Sequence, residues 1–386
     1  MKKSLLLSAA FMALAAYDAS AIKIIAGPYL QNVTPEEATV MWVTDVPALS
    51  WVETAPDDGL HFYATDRPKH YATVMGRADI SRLHKVRVKG LTPGAAIRYR
   101  VVSTEVLDEQ PYFVSYGDHV STDVYRKKPL RFRTPAPEDD AARFLVLNDI
   151  HEDSVRMAQL MAPFKPGNHD FVVFNGDMVN FMNSEEQFLR CLQKATFASE
   201  TPFYMARGNH ESRGNFAKRY MDFFDTPTGQ PYYTFRRGPV MFVVLDGGED
   251  KPDDDIEYYG TCFSDDYRRE QAEWLKKVVA SEEYRSAPFH VVITHVPPVG
   301  DTWHGPLHAK ELFLPILNKA EVDLMICGHL HQYVYNKPGT DGAAFPVLIN
   351  SNKEALEVEA TPENIKVRVY GVDGADTHNY NYPRRS

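Results

Sequence analysis

The chain is poor in cysteine, in clustered basic residues and in long apolar runs, and each shortage excludes a class of protein. Its 386 residues include only three cysteines, so a disulfide framework is excluded as the main source of stability. Cys327 lies in an apolar run and is expected to be a small buried side chain. A disulfide between Cys191 and Cys262 remains an alternative that no feature of the sequence specifically favours. The net charge of −10, unrelieved by any run of lysine and arginine, argues against a nucleic-acid surface.

Residues 1–21 have the three parts of a secretory signal peptide. Lys2 and Lys3 precede a short apolar centre, and Ala19-Ser20-Ala21 provides small residues at a cleavage site. The alternative is a short buried helix. No later stretch is apolar enough for a membrane-spanning helix, so we expect an exported, periplasmic or extracellular protein with no transmembrane segment after maturation. The sequence does not indicate an oligomeric state.

Residues 22–134 contain short β-rich segments separated by turn signals. Segments 38–44, 50–54, 85–88 and 97–102 are strand-like, and glycine-containing turns lie between them. This spacing predicts an all-β sandwich, and no group of residues suited to chemistry occurs in it. Residues 135–142 are expected to be a linker, because two prolines and three acidic residues disfavour both strand and helix.

From residue 143 to residue 386, apolar strands alternate with amphipathic helices, which predicts an α/β fold. The clearest helical pattern spans residues 264–284, with Asp265 and Asp266 suitably placed in the first turn. Near the end of the chain, segments 344–349, 354–359 and 365–370 are expected to be strands that complete a second sheet.

Five strand-like segments of this second half each end in residues that bind metals. In the segment that begins at Phe171, Gly176 ends the strand and leaves Asp177 at the carboxyl edge of a buried sheet, where α/β folds place ligand chemistry. Carboxylate, amide and imidazole groups suit zinc, iron and manganese. Any one of these residues alone is more simply an ordinary turn residue, but five such endings predict a metal site. The other four deliver Asp149 and His151, then Asn209, His210 and Glu211, then His295, and finally His329 and His331.

The order of these five endings resembles the pattern of the calcineurin-like metallophosphoesterases. That pattern is Asp-x-His, then Gly-Asp, then Gly-Asn-His-Glu, then a histidine after an apolar strand, and finally Gly-His-x-His. The resemblance covers about residues 143–335. In the amino-terminal half, residues 27–31 and the strand of Trp42 look like the first domain of purple acid phosphatases. Residues 91–94 followed by Tyr99 resemble the corner of fibronectin type III domains, where a tyrosine hydroxyl ties a strand to the preceding turn.

The resemblance implies an α/β metallophosphoesterase sandwich of two mixed β-sheets flanked by helices (residues 143–386), preceded by an all-β fibronectin-like sandwich (residues 22–134). It also implies two metal ions of iron, zinc or manganese and a metal-bound hydroxide as nucleophile. Asp177 would bridge the ions, and His210 would be catalytic, acting on the leaving group of a small phosphorylated substrate. Carried over residue by residue, one ion would take Asp149, His151, Asp177 and His331, and the other Asp177, Asn209, His295 and His329.

One position departs from the purple acid phosphatase pattern. Those enzymes have a tyrosine where this chain has Asn180, so a ferric site and purple colour are not expected. Asn180 and His304, which follows Trp303 on a Pro- and Gly-rich segment expected to be a loop, are the candidates for substrate contacts. Glu211 is expected either to orient His210 or to form a surface salt bridge.

The sequence predicts a phosphomonoesterase of the acid phosphatase type. A phosphodiesterase or nucleotide hydrolase on the same metal core, a binding module that keeps metal without turnover, and a surface-adhesion role of residues 22–134 remain as alternatives.

Overall fold

A computed structural model describes residues 21–385. The expected signal peptide, residues 1–21, lies almost wholly outside the described residues. Strands precede the expected linker as follows: β1 (Ile24–Gln31), β2 (Glu37–Pro56), β3 (Lys69–Tyr71), β4 (Thr73–Val74), β5 (Arg77–Ala78), β6 (Ile80–Lys89), β7 (Ala96–Gln110), β8 (Phe113–Ser121) and β9 (Leu130–Arg133).

The 20-residue strand β2 organises the amino-terminal half. Its first part pairs with β1 and β6, and its second part, after a register shift between Val43 and Ala48, pairs with β3 and β7. Buried residues of both parts, among them Trp42 and Val52, pack into one core. This half consists of strands joined by loops, and β2 belongs with six of them to one hydrogen-bonded sheet, where the sandwich prediction implies two separate sheets.

The fibronectin-like corner expected at Tyr99 does not form. Its hydroxyl donates instead to the carbonyl of Ser199, in the second half of the chain, at 2.6 Å. A turn followed by a tyrosine does not determine which group the tyrosine hydroxyl will bind. Here the second half of the chain provides the hydrogen-bond acceptor. The likeness to fibronectin type III domains therefore stays a prediction.

Twelve strands and five α-helices are described in the rest of the chain. The strands are β10 (Ala142–Leu147), β11 (Phe171–Asn175), β12 (Phe203–Ala206), β13 (Tyr233–Arg237), β14 (Val240–Leu245), β15 (Phe289–Thr294), β16 (Leu324–Cys327), β17 (Val334–Asn336), β18 (Val347–Ile349), β19 (Glu354–Ala360), β20 (Asn364–Gly371) and β21 (Asp376–Pro383). The helices are α1 (Ser154–Leu160), α2 (Glu185–Lys194), α3 (Ser264–Ala280), α4 (Glu282–Arg285) and α5 (His304–Leu317).

These strands form two mixed six-stranded sheets, in the orders β12-β11-β10-β19-β20-β21 and β13-β14-β15-β16-β18-β17. Residues such as Val146 and Val173 of the first sheet pack against Val291 and Ile326 of the second. All five metal-delivering strands are found, and in each sheet those strands are parallel, so their carboxyl ends share one edge. The expectation of two mixed sheets with helices is confirmed.

Two expectations for elements need correction. Strands β19 and β20 extend the first sheet, because β19 pairs antiparallel with β10, and do not complete the second; alternation along a strand cannot tell which sheet it joins. The helix expected over residues 264–284 is found, but it ends at Ala280, where Ser281 turns extended and caps α4. Its apolar face covers the second sheet, as expected.

The two halves of the chain share one apolar core. Ala26, Tyr29 and Met41 pack with Leu145 and Phe203 in one buried cluster. Hydrogen bonds reinforce this contact: the Tyr29 hydroxyl donates to the Phe223 carbonyl at 2.9 Å, and Asp225, in the second half, accepts from Thr39 at 2.6 Å and from Arg87 at 3.0 Å.

The three cysteines are free, and Cys327 is buried as expected. No helix among residues 21–385 is long and apolar enough to cross a membrane.

Candidate metal centre

The loops at the carboxyl ends of five parallel strands bring the predicted ligands together. Asp149 and His151 follow β10, Asp177 follows β11, and Asn209 follows β12, all in the first sheet; the remaining histidines follow strands β15 and β16 of the second. Backbone hydrogen bonds lock neighbouring loops, for example from the Asp149 N–H to the Gly176 carbonyl at 3.0 Å. The centre therefore lies where the edges of the two sheets meet.

The candidate ligand atoms form three overlapping groups, one of which joins His151 and Asp177 to His210, while the other two contain predicted ligands only. Asp149, His151 and His331 form one group, and Asp177, His295 and His329 form the other; within each, the candidate atoms lie within 4.8 Å of one another. Asn209 completes the second group, since its Oδ1 lies 3.1 Å from His329 Nδ1.

Asp177 occupies the position common to both groups. Its Oδ2 is 3.1 Å from His295 Nε2 on one side and 3.9 Å from His151 Nε2 on the other. Its Oδ1 accepts a hydrogen bond from the His210 backbone N–H at 3.0 Å. One carboxylate oxygen is thus held by the protein, and the other faces ligands of both groups.

Several atoms of the centre are arranged for a cation and not for one another. Asp149 Oδ1 and His295 Nε2 are buried and make no hydrogen bond of acceptable geometry within the described chain. His151 Nε2 and His331 Nε2 face each other at 3.1 Å. Two imidazole nitrogens and a free carboxylate oxygen that converge in this way fit a metal of the zinc, manganese or iron type.

The supporting contacts leave the metal-facing atoms free. Asp149 Oδ2 accepts from the Asn148 side chain at 2.7 Å and from the His329 N–H at 2.9 Å, so Oδ1 remains for a metal. His295 Nδ1–H donates to the Asn175 carbonyl at 2.8 Å, which points Nε2 toward the centre. Contacts of this type orient metal ligands.

The backbone of the ligand loops is held in a conformation that side chains disfavour. Five of the seven predicted ligands have positive φ, between 50° and 75°: Asp149, His151, Asp177, His329 and His331. Non-glycine residues rarely adopt this region, and such strain clusters at functional sites. Glycine is also required beside the ligands, because a Cβ at Gly176 would lie 2.5 Å from the His295 ring and one at Gly328 would lie 2.9 Å from Asp149 Oδ2.

The charges of the centre reinforce one another. Burial alone would raise the pKa of Asp177, but His295 and His210 outweigh it and hold that pKa well below its usual range. Burial alone would lower the pKa of His295, but Asp177 and Asp149 outweigh it and raise that pKa to about 10. Two ionised, buried carboxylates create a negative potential that favours cations.

Both expectations for Glu211 were wrong. Glu211 is fully buried, and its carboxylate accepts hydrogen bonds from the backbone N–H groups of Asp177 at 2.8 Å, Met178 at 2.7 Å and Gly208 at 2.9 Å. It therefore joins the loop that carries Asp177 to the loop that carries Asn209. Burial of a charged side chain cannot be read from a motif alone.

His210 is oriented by Asn180 and not by Glu211. The His210 Nδ1–H donates to the Asn180 backbone carbonyl at 2.7 Å, and Nε2 lies 3.9 Å from Asp177 Oδ2. The Asn180 side chain donates to the His151 carbonyl at 3.3 Å, so this residue supports two predicted site residues. A direct contact of Asn180 with substrate stays a prediction.

His304 and His308 lie in helix α5, so the expectation of a loop was wrong. Pro306 is in the first turn, where a missing N–H costs nothing because helix N–H groups there have no intrahelical partner. His304 Nε2 lies 2.8 Å from Asp265 Oδ1. That partner lies outside the two ligand groups, so a phosphate contact of His304 stays a prediction without structural support.

Asp265, His304 and His308 form a further cluster with metal-ligand spacing. The fully buried Arg268 donates from Nη2 to Asp265 at 2.7 Å and from Nε to His308 Nδ1 at 3.1 Å. It also donates to the carbonyls of Gly247 and Glu249. The Arg268 N–H binds the lone pair of His308 Nδ1, which a metal would need, and the guanidinium adds a positive charge that repels a cation. We therefore interpret this cluster as a hydrogen-bonded support of the loop after β14.

That loop contains two residues that the sequence did not single out. Asp250 Oδ2 accepts from the Asn209 side-chain amide at 3.2 Å, which turns the Asn209 oxygen toward His329. Asp250 Oδ1 and Glu249 bind Arg213, whose Nη1 is 3.5 Å from His210 Nε2. No local pattern identifies these residues, because they join loops of different sheets.

Residues 142–333 match the family model described as calcineurin-like phosphoesterase. This part of the chain is a calcineurin-like metallophosphoesterase domain, as the sequence predicted.

Purple acid phosphatases of Arabidopsis thaliana are distant relatives. Purple acid phosphatase 15 is 25% identical over 186 residues (42% of this chain, 31% of the relative), and purple acid phosphatase 22 is 23% identical over 256 residues (58% and 54%). An uncharacterised protein of Mycobacterium tuberculosis is 26% identical over 179 residues (40% and 32%). The matches span about a third to a half of the length of these relatives.

Among solved structures, Yfce, a phosphoesterase from E. coli, is 12% identical and has a TM-score of 0.31 over 62% of this chain and 98% of its own.

Proposed function

We propose that the protein is a dinuclear metal-dependent phosphoric ester hydrolase that acts on phosphomonoesters. The observation that carries the proposal is the position of Asp177, whose Oδ2 faces a histidine of each ligand group. Two cations bound side by side need an anionic bridge, and Asp177 forms one candidate cluster with His151 and His210 and another with His295 and His329.

The ligand residues have distinct roles in this proposal. Asp149, His151 and His331 would hold one ion, Asn209, His295 and His329 the other, and Asp177 both. When bound, such a pair neutralises the phosphoryl oxygens and lowers the pKa of a water.

His210 would act at the leaving oxygen. Since its Nδ1–H is committed to Asn180, Nε2 is the atom left for substrate. The ring donates from Nε2 only when both nitrogens are protonated, and when neutral it accepts a hydrogen bond there.

We propose a divalent pair, because the tyrosine that stabilises ferric iron in purple acid phosphatases is replaced here by asparagine. Asn180 stands at the tyrosinate position. The hydroxyl of Tyr333, a possible substitute, donates to Tyr380 at 2.6 Å, and that of Tyr204 accepts from Arg237 at 3.3 Å. The purified protein should be colourless and, after chelation, should recover activity with zinc, manganese or ferrous iron alone. An intense visible absorption or a strict need for ferric iron would contradict this.

The deciding experiment combines elemental analysis with a screen of phosphomonoesters, phosphodiesters and phosphoanhydrides. Two ions per chain and preferred turnover of monoesters support the proposal. Preferred turnover of diesters or nucleotides would favour the second candidate, a phosphodiesterase or nucleotide hydrolase on the same metals. Bound metal without turnover would indicate a binding module.

We also propose export from the cell, on the basis of residues 1–21. Mass spectrometry of the mature protein tests this, since cleavage predicts an amino terminus near Ile22. Detection of residue 1 in the mature protein would contradict it.

A further inference from the structure

Arg213 lies beside the metal centre and is rigidly held on one side. Its Nε and Nη2 contact Glu249 at 3.1 Å and 2.8 Å, and Nη2 also contacts Asp250 at 2.9 Å. Both carboxylates are buried. A planar guanidinium fixed along one edge by two carboxylates has little freedom left, so the direction of its other edge is determined.

The remaining nitrogen, Nη1, faces the centre. Within the described chain its contact is with His210 Nε2, at 3.5 Å, and none of the carboxylates that bind Arg213 reaches it. His210 Nε2 is also the ring atom on the Asp177 side. Nη1 therefore carries N–H donors next to the atom expected to meet the substrate.

Asp250 fixes the distance between Arg213 and the second ligand group. One of its oxygens binds Arg213, and the other binds the amide of Asn209. The Asn209 oxygen in turn faces His329. The Asp250 carboxylate thus connects the Arg213 guanidinium to Asn209, a predicted metal ligand. An ion pair that served only stability would not need this connection.

From this arrangement we infer that Arg213 is a substrate-binding residue whose Nη1 donates to an oxygen of the phosphoryl group, beside His210. Arginine suits this task because it stays charged and presents donors in a fixed plane. Asp250 and Glu249 are positioning residues that hold it there. The inference rests on the proposed function only in taking a phosphoryl group as the ligand.

Inorganic phosphate is the probe, because its binding does not depend on turnover. Its affinity for the metal-loaded protein is measured by calorimetry, and its inhibition of p-nitrophenyl phosphate hydrolysis is measured alongside. Arg213→Ala and Arg213→Gln should weaken phosphate binding roughly 10- to 100-fold, the usual range for a hydrogen bond between charged groups, while metal content stays at two ions. Added guanidinium should restore part of the lost affinity in Arg213→Ala.

Arg219→Ala is the matched control, because Arg219 is an exposed arginine of the same region, paired with Asp222. It should leave phosphate affinity, metal content and melting temperature unchanged.

Arg213→Lys covers the case in which the smaller variants do not fold. A lysine keeps the charge but cannot bind both carboxylates and donate from a fixed plane, so phosphate should still bind more weakly than to the wild type. Wild-type phosphate affinity in a folded, metal-loaded Arg213 variant would overturn the inference. If the wild type binds phosphate but hydrolyses no ester, the proposed function is refuted. The role of Arg213 is then decided by comparing the phosphate affinities of the wild type and the Arg213 variants in calorimetry.

Discussion

Glu211→Gln is the substitution whose effect the structure determines most closely. The wild-type carboxylate accepts three short backbone hydrogen bonds in a fully buried position: Oε2 from the N–H groups of Asp177 and Gly208, and Oε1 from that of Met178. Glutamine has one acceptor oxygen. With that oxygen at the Oε2 position two bonds survive, but the NH₂ group then faces the Met178 N–H, and two donors oppose each other.

The magnitude follows from these contacts. A hydrogen bond to a charged group contributes about 1.5–3 kcal/mol, and a buried unsatisfied donor costs about 1–3 kcal/mol. Losing one such bond and leaving the Met178 donor unsatisfied should lower the free energy of unfolding by about 2–4 kcal/mol net, because removing the buried charge of Glu211 offsets part of the loss. Because the substitution loosens the joint between the Asp177 and Asn209 loops, metal affinity should fall as well.

The assay is urea unfolding together with metal titration of the variant and the wild type. Burial raises the pKa of Glu211 to about 7, so pH 8 is suitable because the carboxylate is then ionised. Glu359→Gln is the control: its carboxylate pairs with Arg143 at the surface, 2.9 Å away, and its loss should cost less than about 1 kcal/mol. Unchanged stability and metal affinity in Glu211→Gln would refute the view that this side chain fixes the ligand loops.

Three further predictions concern other parts of the molecule. Asp177→Asn should abolish hydrolysis and lower metal content, measured by elemental analysis, more than Asn209→Ala does; wild-type turnover with both metals present would disprove the bridge. His210→Ala should keep both metals and lose about 10²–10⁴ in turnover, with a smaller loss for nitrophenyl esters, whose leaving group departs without a proton. Equal losses for good and poor leaving groups would show a different role. Burial lowers the pKa of His84 to about 3, below the unfolded value, so the stability it contributes is present above about pH 6.5 and is lost as the pH falls, by about 2 kcal/mol at pH 5. In His84→Gln, the unfolding free energy should therefore change less between pH 7 and pH 5, and an unaltered pH dependence would contradict this.

The sequence indicated the residues that the structure brings together, because their signal is local. A buried strand followed at once by glycine, carboxylate or imidazole, as at Gly176 and Asp177, indicates both where the chain turns and what it presents there. Since the parallel strands of one sheet share an edge, predicting the strands was enough to place these residues at sheet edges, whereas their division into two sets came from the family resemblance.

The supporting residues could not be predicted, because their contacts join segments far apart in the chain. Asp250 and Arg213 are separated by 37 positions and lie on loops of different sheets. Glu211 gave a local signal of the wrong kind, since a charged residue beside a turn is typical of the surface. The start of α5 was hidden by Pro306, which is compatible with a first helical turn although it would break a later one.

The shared core of the two halves has a practical consequence for any attempt to separate them. Cutting the chain at residues 135–142 would leave Tyr29 and Met41 on one fragment and Leu145 and Phe203 on the other, each exposed to water. The cut would also remove Thr39 and Arg87, the hydrogen-bond donors of the Asp225 carboxylate, from the fragment that contains Asp225. Neither fragment is then suited to isolation, so a ligand of residues 22–134 is best sought with the full-length chain. A loss of activity after truncation would report lost folding and not a direct part in catalysis.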